Sequence, residues 1–241
     1  MLFRLMTYNI HKGIGGVDRR YRPERIIATI ARYRPDIVFL QEVDDGVPRS
    51  RLDREVDLIG DALDFRHRAF QQNVFLRQGC YGNAILSHFP LSDIQSVDLT
   101  IPLKKRRQAL VAHCGVRWEH HARTLLLVNV HLGLAGFERT AQLRKILSCD
   151  ALKHTQKSTP TIIGGDFNDV WGGLGKNTLE PAGFTPALGM TKTFPAILPI
   201  RPLDRVYFRG GMRLDHSFAS HTKLSQHASD HLPVILDFIL D

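Results

Sequence analysis

The chain has 241 residues, 43% of them hydrophobic and 23% charged, with a formal net charge of +8. That composition is ordinary for a globular protein and supplies a sizeable core, in one large α/β unit or two small ones. No apolar run approaches the roughly 20 residues needed to cross a bilayer, and three cysteines without regular spacing argue against a disulfide framework.

Phe3 to Asn9 alternates as a half-buried strand does. Pro23 opens a helix whose apolar positions are Ile26, Ile27, Ile30 and Ala31, and Pro35 ends it. Asp36 to Glu42 reads as a buried strand, and Arg51 to Leu63 as a second amphipathic helix. Strands are expected at Gly82 to Ser87, Ala109 to Arg117 and Thr124 to Leu132, with a third helix over Phe137 to Leu152. Pro160 to Asp166 is another buried strand. The stretch from Gly172 to Pro202 is rich in glycine and proline and too long for a simple turn, so short helices are expected inside it. Leu203 to Phe208, Met212 to Phe218 and Leu232 to Leu240 are the last strands. Strands that follow one another without helices argue against a purely parallel sheet and for two packed mixed sheets covered by helices. No linker divides the chain, so 1–241 reads as a single domain, and its short apolar start reads as strand, not leader, giving a cytoplasmic, monomeric expectation.

Polar residues recur at the ends of these strands: Asn9, Glu42, His131, Asp166 with Asn168, and Asp204. Strand ends let an α/β protein aim side chains into a crevice while its core stays apolar. Asp166 and Asn168 follow Ile162-Ile163-Gly164-Gly165 and either face one point or form an Asx turn. Asp204 is an acid in an apolar strand and needs a partner: His231 or the adjacent Arg205. Asp230 stands beside His231, the natural proton carrier. A single Glu42, helped by Asn9 and Asp230, suits Mg²⁺, which takes few protein carboxylates and keeps water. Zinc fits less well, because no close set of His or Cys exists.

In this order the stretches TYNIHKG (7–13), LQEVD (40–44), YGNAILS (81–87), NVHLG (129–133), GGDFND (164–169), LDRVYF (203–208) and SDHLPV (229–234) resemble the endonuclease/exonuclease/phosphatase superfamily, the DNase I-like hydrolases, and most of all its small bacterial members. The resemblance implies an α/β fold, a four-layer αββα sandwich of two mixed sheets flanked by helices. It implies a phosphoesterase dependent on Mg²⁺, with Mn²⁺ a possible substitute. Glu42, Asn9 and Asp230 would hold the metal. Asp166 would orient or deprotonate the attacking water, Asn168 would hold that water or the phosphoryl oxygens, and His231 with Asp204 would act as base or donor. His131 would contact the phosphate from the other side, and His11, Tyr81, Asn83 and Arg139 would contact substrate. His11 stands where some nucleases carry an acid, which favours one metal.

The basic balance and the clusters at Arg19–Arg22, Arg49–Arg54 and Lys104–Arg107 suit nucleic acid, anionic lipid or small phosphorylated substrates, or serve only solubility. For Lys104 to Arg107 solvated loop is the expectation, and for Phe194, Leu198 and Ile200 core packing. A nuclease-like phosphodiesterase predicts a continuous basic groove. A hydrolase of phospholipid or soluble esters predicts a smaller pocket with an apolar rim. A scaffold that kept the fold without catalysis is the third possibility, and the complete polar set argues against it.

Overall fold

The computed structural model describes residues 1–241. Twelve strands form two sheets of six. The first holds β1 (Leu2–Asn9), β2 (Ile37–Asp45), β3 (His67–Phe75), β4 (Cys80–Ser87), β11 (Met212–Ala219) and β12 (Val234–Leu240), in the order β11-β12-β1-β2-β4-β3. The second holds β5 (Leu91–Asp98), β6 (Gln108–Trp118), β7 (His121–His131), β8 (Thr161–Asp166), β9 (Thr185–Pro186) and β10 (Asp204–Arg209), in the order β5-β6-β7-β8-β10-β9. One central pair in each sheet, β1–β2 and β7–β8, is parallel and the remaining pairs are antiparallel. Both sheets are therefore mixed, as the succession of strands predicts.

Three apolar clusters define the layers. Phe3, Leu5, Ile37, Phe39, Leu127, Ile162 and Phe238 meet between the sheets. Met6, Tyr8, Val38 and Leu40 face outward against α1 (Pro23–Tyr33) and α2 (Glu55–Ala62). Val128, Val130 and Ile163 face outward on the other side against Leu143 and Ile146 of α3 (Gly136–Leu147). Helix, sheet, sheet, helix follows from the two-residue period of each strand.

The inner rows change character along their length. Phe3 and Leu5 give way to Thr7 and Asn9, Ile37 and Phe39 to Gln41, Leu125 and Leu127 to Asn129 and His131, and Ile162 to Asp166. One end of the inter-sheet layer is therefore polar. Gln41 Nε2 donates to Asn129 Oδ1 at 2.8 Å, and Asn129 Nδ2 donates to the carbonyls of Leu40 and Ala84 at 2.9 and 2.8 Å. These bonds clamp the sheets together beneath the polar end.

The sequence reading misses β3, β5 and α6 (Lys223–Ala228). β3 and β5 are edge strands, and β5 is exposed along most of its length, so neither carries the apolar run of a central strand. The expected helix from Arg51 starts at Glu55, because Arg51 and Leu52 adopt left-handed φ values of 56° and 64°. The third helix ends at Leu147, and α4 (Asp150–Lys153) follows as a separate turn. The long loop holds α5 (Gly173–Thr178) and β9, as its length suggests. No helix is long and apolar enough to cross a membrane.

Candidate active site

The polar ends of β1, β2, β7, β8 and β10 converge, and Asp166 is their centre. It is buried at the end of β8, opposite His131 in the parallel β7–β8 register and Asp204 in the antiparallel β8–β10 register. Its Oδ2 accepts from Asn9 Nδ2 at 3.0 Å and lies 3.5 Å from His131 Nε2 and 3.8 Å from His231 Nε2. Its Oδ1 accepts from the backbone N–H of Asn168 at 2.9 Å, so the Asx turn and the convergence both exist. Asn168 itself has φ of 51° and donates its amide to Leu132 O at 2.9 Å. Gly165 makes this possible: a Cβ there, at φ of 138°, would lie 2.0 Å from Val130 O.

His231 and Asp204 are paired, His231 Nδ1 to Asp204 Oδ2 at 2.8 Å. Thr193 Oγ1 donates to the same oxygen, and Phe194 packs its ring 4.9 Å from the imidazole. Arg205, the alternative partner, turns away to Gly189 O. Burial opposes charge on His231, but Asp204 and Asp166 outweigh it and raise the imidazole to about 10. Burial, reinforced by Asp204 and opposed by His231, lifts the Asp166 carboxyl. His131 goes the other way: burial and the Arg107 guanidinium hold it well below the usual imidazole range. At neutral pH His131 is therefore neutral and His231 cationic.

Glu42 sits in a β-bulge. The β2–β4 register shifts between Leu40 and Val43, and Glu42 takes φ of 56°. A bulge re-aims a side chain, and a left-handed non-glycine residue is strained. Burial works against the Glu42 charge, and the neighbouring cations outweigh it and hold the carboxyl below the usual carboxylate range. With His131 neutral, the cation that answers Glu42 is the Lys12 ammonium, which contacts Oε2 directly. His11 and Lys12 also have left-handed φ, 47° and 62°. His11 Nδ1 donates to Ile14 O at 2.9 Å, and its Nε2 lies 3.8 Å from Asp230 Oδ2. Asn9 Oδ1 accepts from His11 N at 3.1 Å.

The donor chemistry fits a hard divalent ion: Glu42 carries an ionised carboxylate against the Lys12 ammonium, and Asp230 Oδ2 and Asn9 Oδ1 are oxygen donors that both lie against His11. No group of three or more His, Cys, Asp or Glu side chains is gathered closely enough to hold a metal ion by itself.

The other expected contacts divide. Tyr81 is buried with Lys12, Arg49 and Lys105 at 5.5, 5.4 and 5.1 Å from its ring. Asn83 is buried in the inner row and donates to Gln108 O at 3.3 Å. Arg139 donates to Leu134 O and lines a groove between α3 and α5 with Thr140, Arg144 and Asp169.

Two residues escape the sequence reading, Lys12 and Thr193. Arg107, read there within a basic cluster, is 6% exposed, makes no ion pair, leaves Nε without a partner, and lies within electrostatic reach of His131. Its burial corrects the expectation of a solvated loop at this position. Leu198 and Ile200 also depart from expectation, standing exposed rather than packed.

The structure is a mixed-sheet sandwich with a buried Asp–His–Asp chain and an ionised glutamate at one edge. The match to the endonuclease/exonuclease/phosphatase family model runs over residues 6–234, and the chain belongs to that family, whose members are generally phosphoesterases that use divalent metal ions. The chain is 29% identical to the uncharacterized protein YbhP of Escherichia coli K12, over 96% of this chain and 94% of that one. Among solved structures it is similar to an endonuclease/exonuclease/phosphatase from Beutenbergia cavernae, with TM-score 0.82, 22% identity, and coverage of 99% of this chain and 72% of that one. It is also similar to the human Nocturnin catalytic domain with bound sulfate, with TM-score 0.75, 20% identity, and coverage of 100% and 95%. At these identities the structural likeness speaks for the fold.

Proposed function

We propose that the chain is a Mg²⁺-dependent phosphodiesterase. The observation that carries this reading is the meeting at Asp166 of Asn9, His131 and the Asp204-held His231. A divalent ion held by Glu42, Asn9 and Asp230, with Mn²⁺ as a substitute, would supply Lewis-acid stabilisation of the phosphoryl oxygens.

The chain's own groups do the rest. Asp166 takes the proton of the attacking water, because His231 already carries one at neutral pH. His231 donates through Nε2 to a non-bridging oxygen, while Asp204 and Thr193 hold its ring. Neutral His131 and Asn9 keep the Asp166 carboxylate aimed. Arg107, buried and unpaired, offers its guanidinium to the phosphate from the His131 side. Such fixed donors act where charge gathers in the transition state.

Asp166→Asn abolishes Mg²⁺-dependent hydrolysis of an aryl phosphodiester and leaves the circular dichroism spectrum unchanged. Wild-type turnover by that variant removes the base from this mechanism. A nucleic-acid phosphodiester and a lipid or small phosphate ester both fit the chemistry. Exposed Trp171, Leu198 and Ile200 in loops that follow Asn168 and precede Asp204 favour the apolar rim of the second.

A further inference from the structure

The loop between β5 and β6 carries Leu103-Lys104-Lys105-Arg106. Leu103 is fully exposed at left-handed φ of 63°, so this aliphatic side chain stands at the tip with no packing partner. The three cations after it make no ion pair and lie instead over three rings: Lys104 over Phe137 at 5.3 Å, Lys105 over Tyr81 at 5.1 Å and Arg106 over Phe75 at 5.5 Å. Phe137 and Phe75 come from α3 and β3 and are 64% and 59% exposed. The patch is continuous with the site, because Lys12 sits over the same Tyr81 ring and contacts Glu42.

We propose that this loop, with Phe75 and Phe137, docks the protein on an anionic phospholipid bilayer and sets the active site against the head groups. Unpaired cations behind exposed apolar side chains match the two layers of such a surface, charge at the head groups and hydrocarbon beneath. Single-stranded nucleic acid would need open ring faces for stacking. Here a cation already lies over each ring, and the most exposed group is a leucine, which cannot stack. Docking does not require catalysis. Only the identity of the bilayer lipid as substrate rests on the phosphodiesterase reading.

The experiment is co-sedimentation of the full chain with vesicles of phosphatidylcholine alone or with one third phosphatidylglycerol, at low and high salt. Binding is expected on the anionic vesicles and weak on the zwitterionic ones. Lys104→Gln with Lys105→Gln lowers anionic partitioning about 25-fold at low salt, roughly fivefold per cation near the surface. Leu103→Ser lowers it by about tenfold at both salt concentrations, while soluble aryl phosphodiester turnover stays at the wild-type level. No sedimentation with anionic vesicles overturns the proposal. So does tight binding of a single-stranded oligonucleotide that displaces the vesicles, or a Leu103→Ser variant that binds them as wild type does. Vesicle binding without turnover of any phosphodiester would leave docking standing and remove the enzymatic reading. Turnover without vesicle binding would do the reverse.

Discussion

Asp204 governs the proton on His231. Its carboxylate accepts from Nδ1, so the ring is fixed in orientation and Nε2 faces Asp166. Asp204→Asn keeps the shape but loses the charge that holds His231 cationic against burial. The expected result is a fall in kcat of roughly 10²-fold or more on an aryl phosphodiester, typical of a lost acid or base. The Mg²⁺ titration should not move, since Glu42 is untouched. An unchanged kcat would mean that His231 acts without its partner. Arg107 makes a complementary case. A buried guanidinium without a carboxylate is costly unless an anion arrives. Arg107→Met should cost roughly 10- to 100-fold in kcat/KM, the worth of a charged hydrogen bond to the phosphate. Lysine at 107 should restore part of it, and stability should rise or hold. A methionine variant with full kcat/KM places the guanidinium in packing only.

At the scale of elements, what was legible followed from burial on both faces. β1, β2, β7, β8 and β10 carry apolar inner rows that end in polar residues, so their existence and the convergence of their ends could be read from period alone. The edge strands β3 and β5 have no such row. The bulge at Glu42 was hidden because it exists only in the register with β4. The burial of Arg107 and of Thr193 was hidden because a loop residue is buried by whatever packs over it, which no local pattern records. Glu55, the first residue of α2, is a similar case: wholly buried, with Oε2 accepting from Asp44 N at 2.7 Å and Oε1 unpartnered. Burial, with the nearby Asp44 charge, raises its carboxyl well above the usual range against that one hydrogen bond. The folded state then holds a proton that the unfolded chain releases, so stability falls as pH rises from the unfolded glutamic acid value toward the folded one. Glu55→Gln removes this loss. Its melting temperature should exceed wild type at pH 7 to 8, by an amount that vanishes at pH 4. An equal offset at both pH values would show that the carboxyl does not titrate differently on folding.

Across the whole molecule, the site joins both ends of the chain. Asn9 closes β1, while Asp230 and His231 precede β12, and β1 and β12 pair along their length. Ser229 Oγ donates to Asn9 O at 2.7 Å and ties the two ends beside the proposed ligands. A divalent ion bound there would add a link from Glu42 on β2 to both ends of the chain, on top of the β1–β2 and β1–β12 ladders. Binding to the folded state alone stabilises it by about 2.7 kcal/mol at a hundredfold excess over Kd. For a chain of this size that is a rise of roughly 5 to 11 °C in Tm. Mg²⁺ should give this rise in wild type and none in Glu42→Ala. Lys12→Met separates the lysine from the metal. Removing the ammonium leaves the half-buried Glu42 carboxylate without its cation, so the metal-free variant should melt below wild type. Mg²⁺ no longer has to displace a lysine there, so its stabilising shift should be larger than in wild type. A shift equal to that of wild type would mean that lysine and metal do not compete for Glu42, and that the ion binds elsewhere.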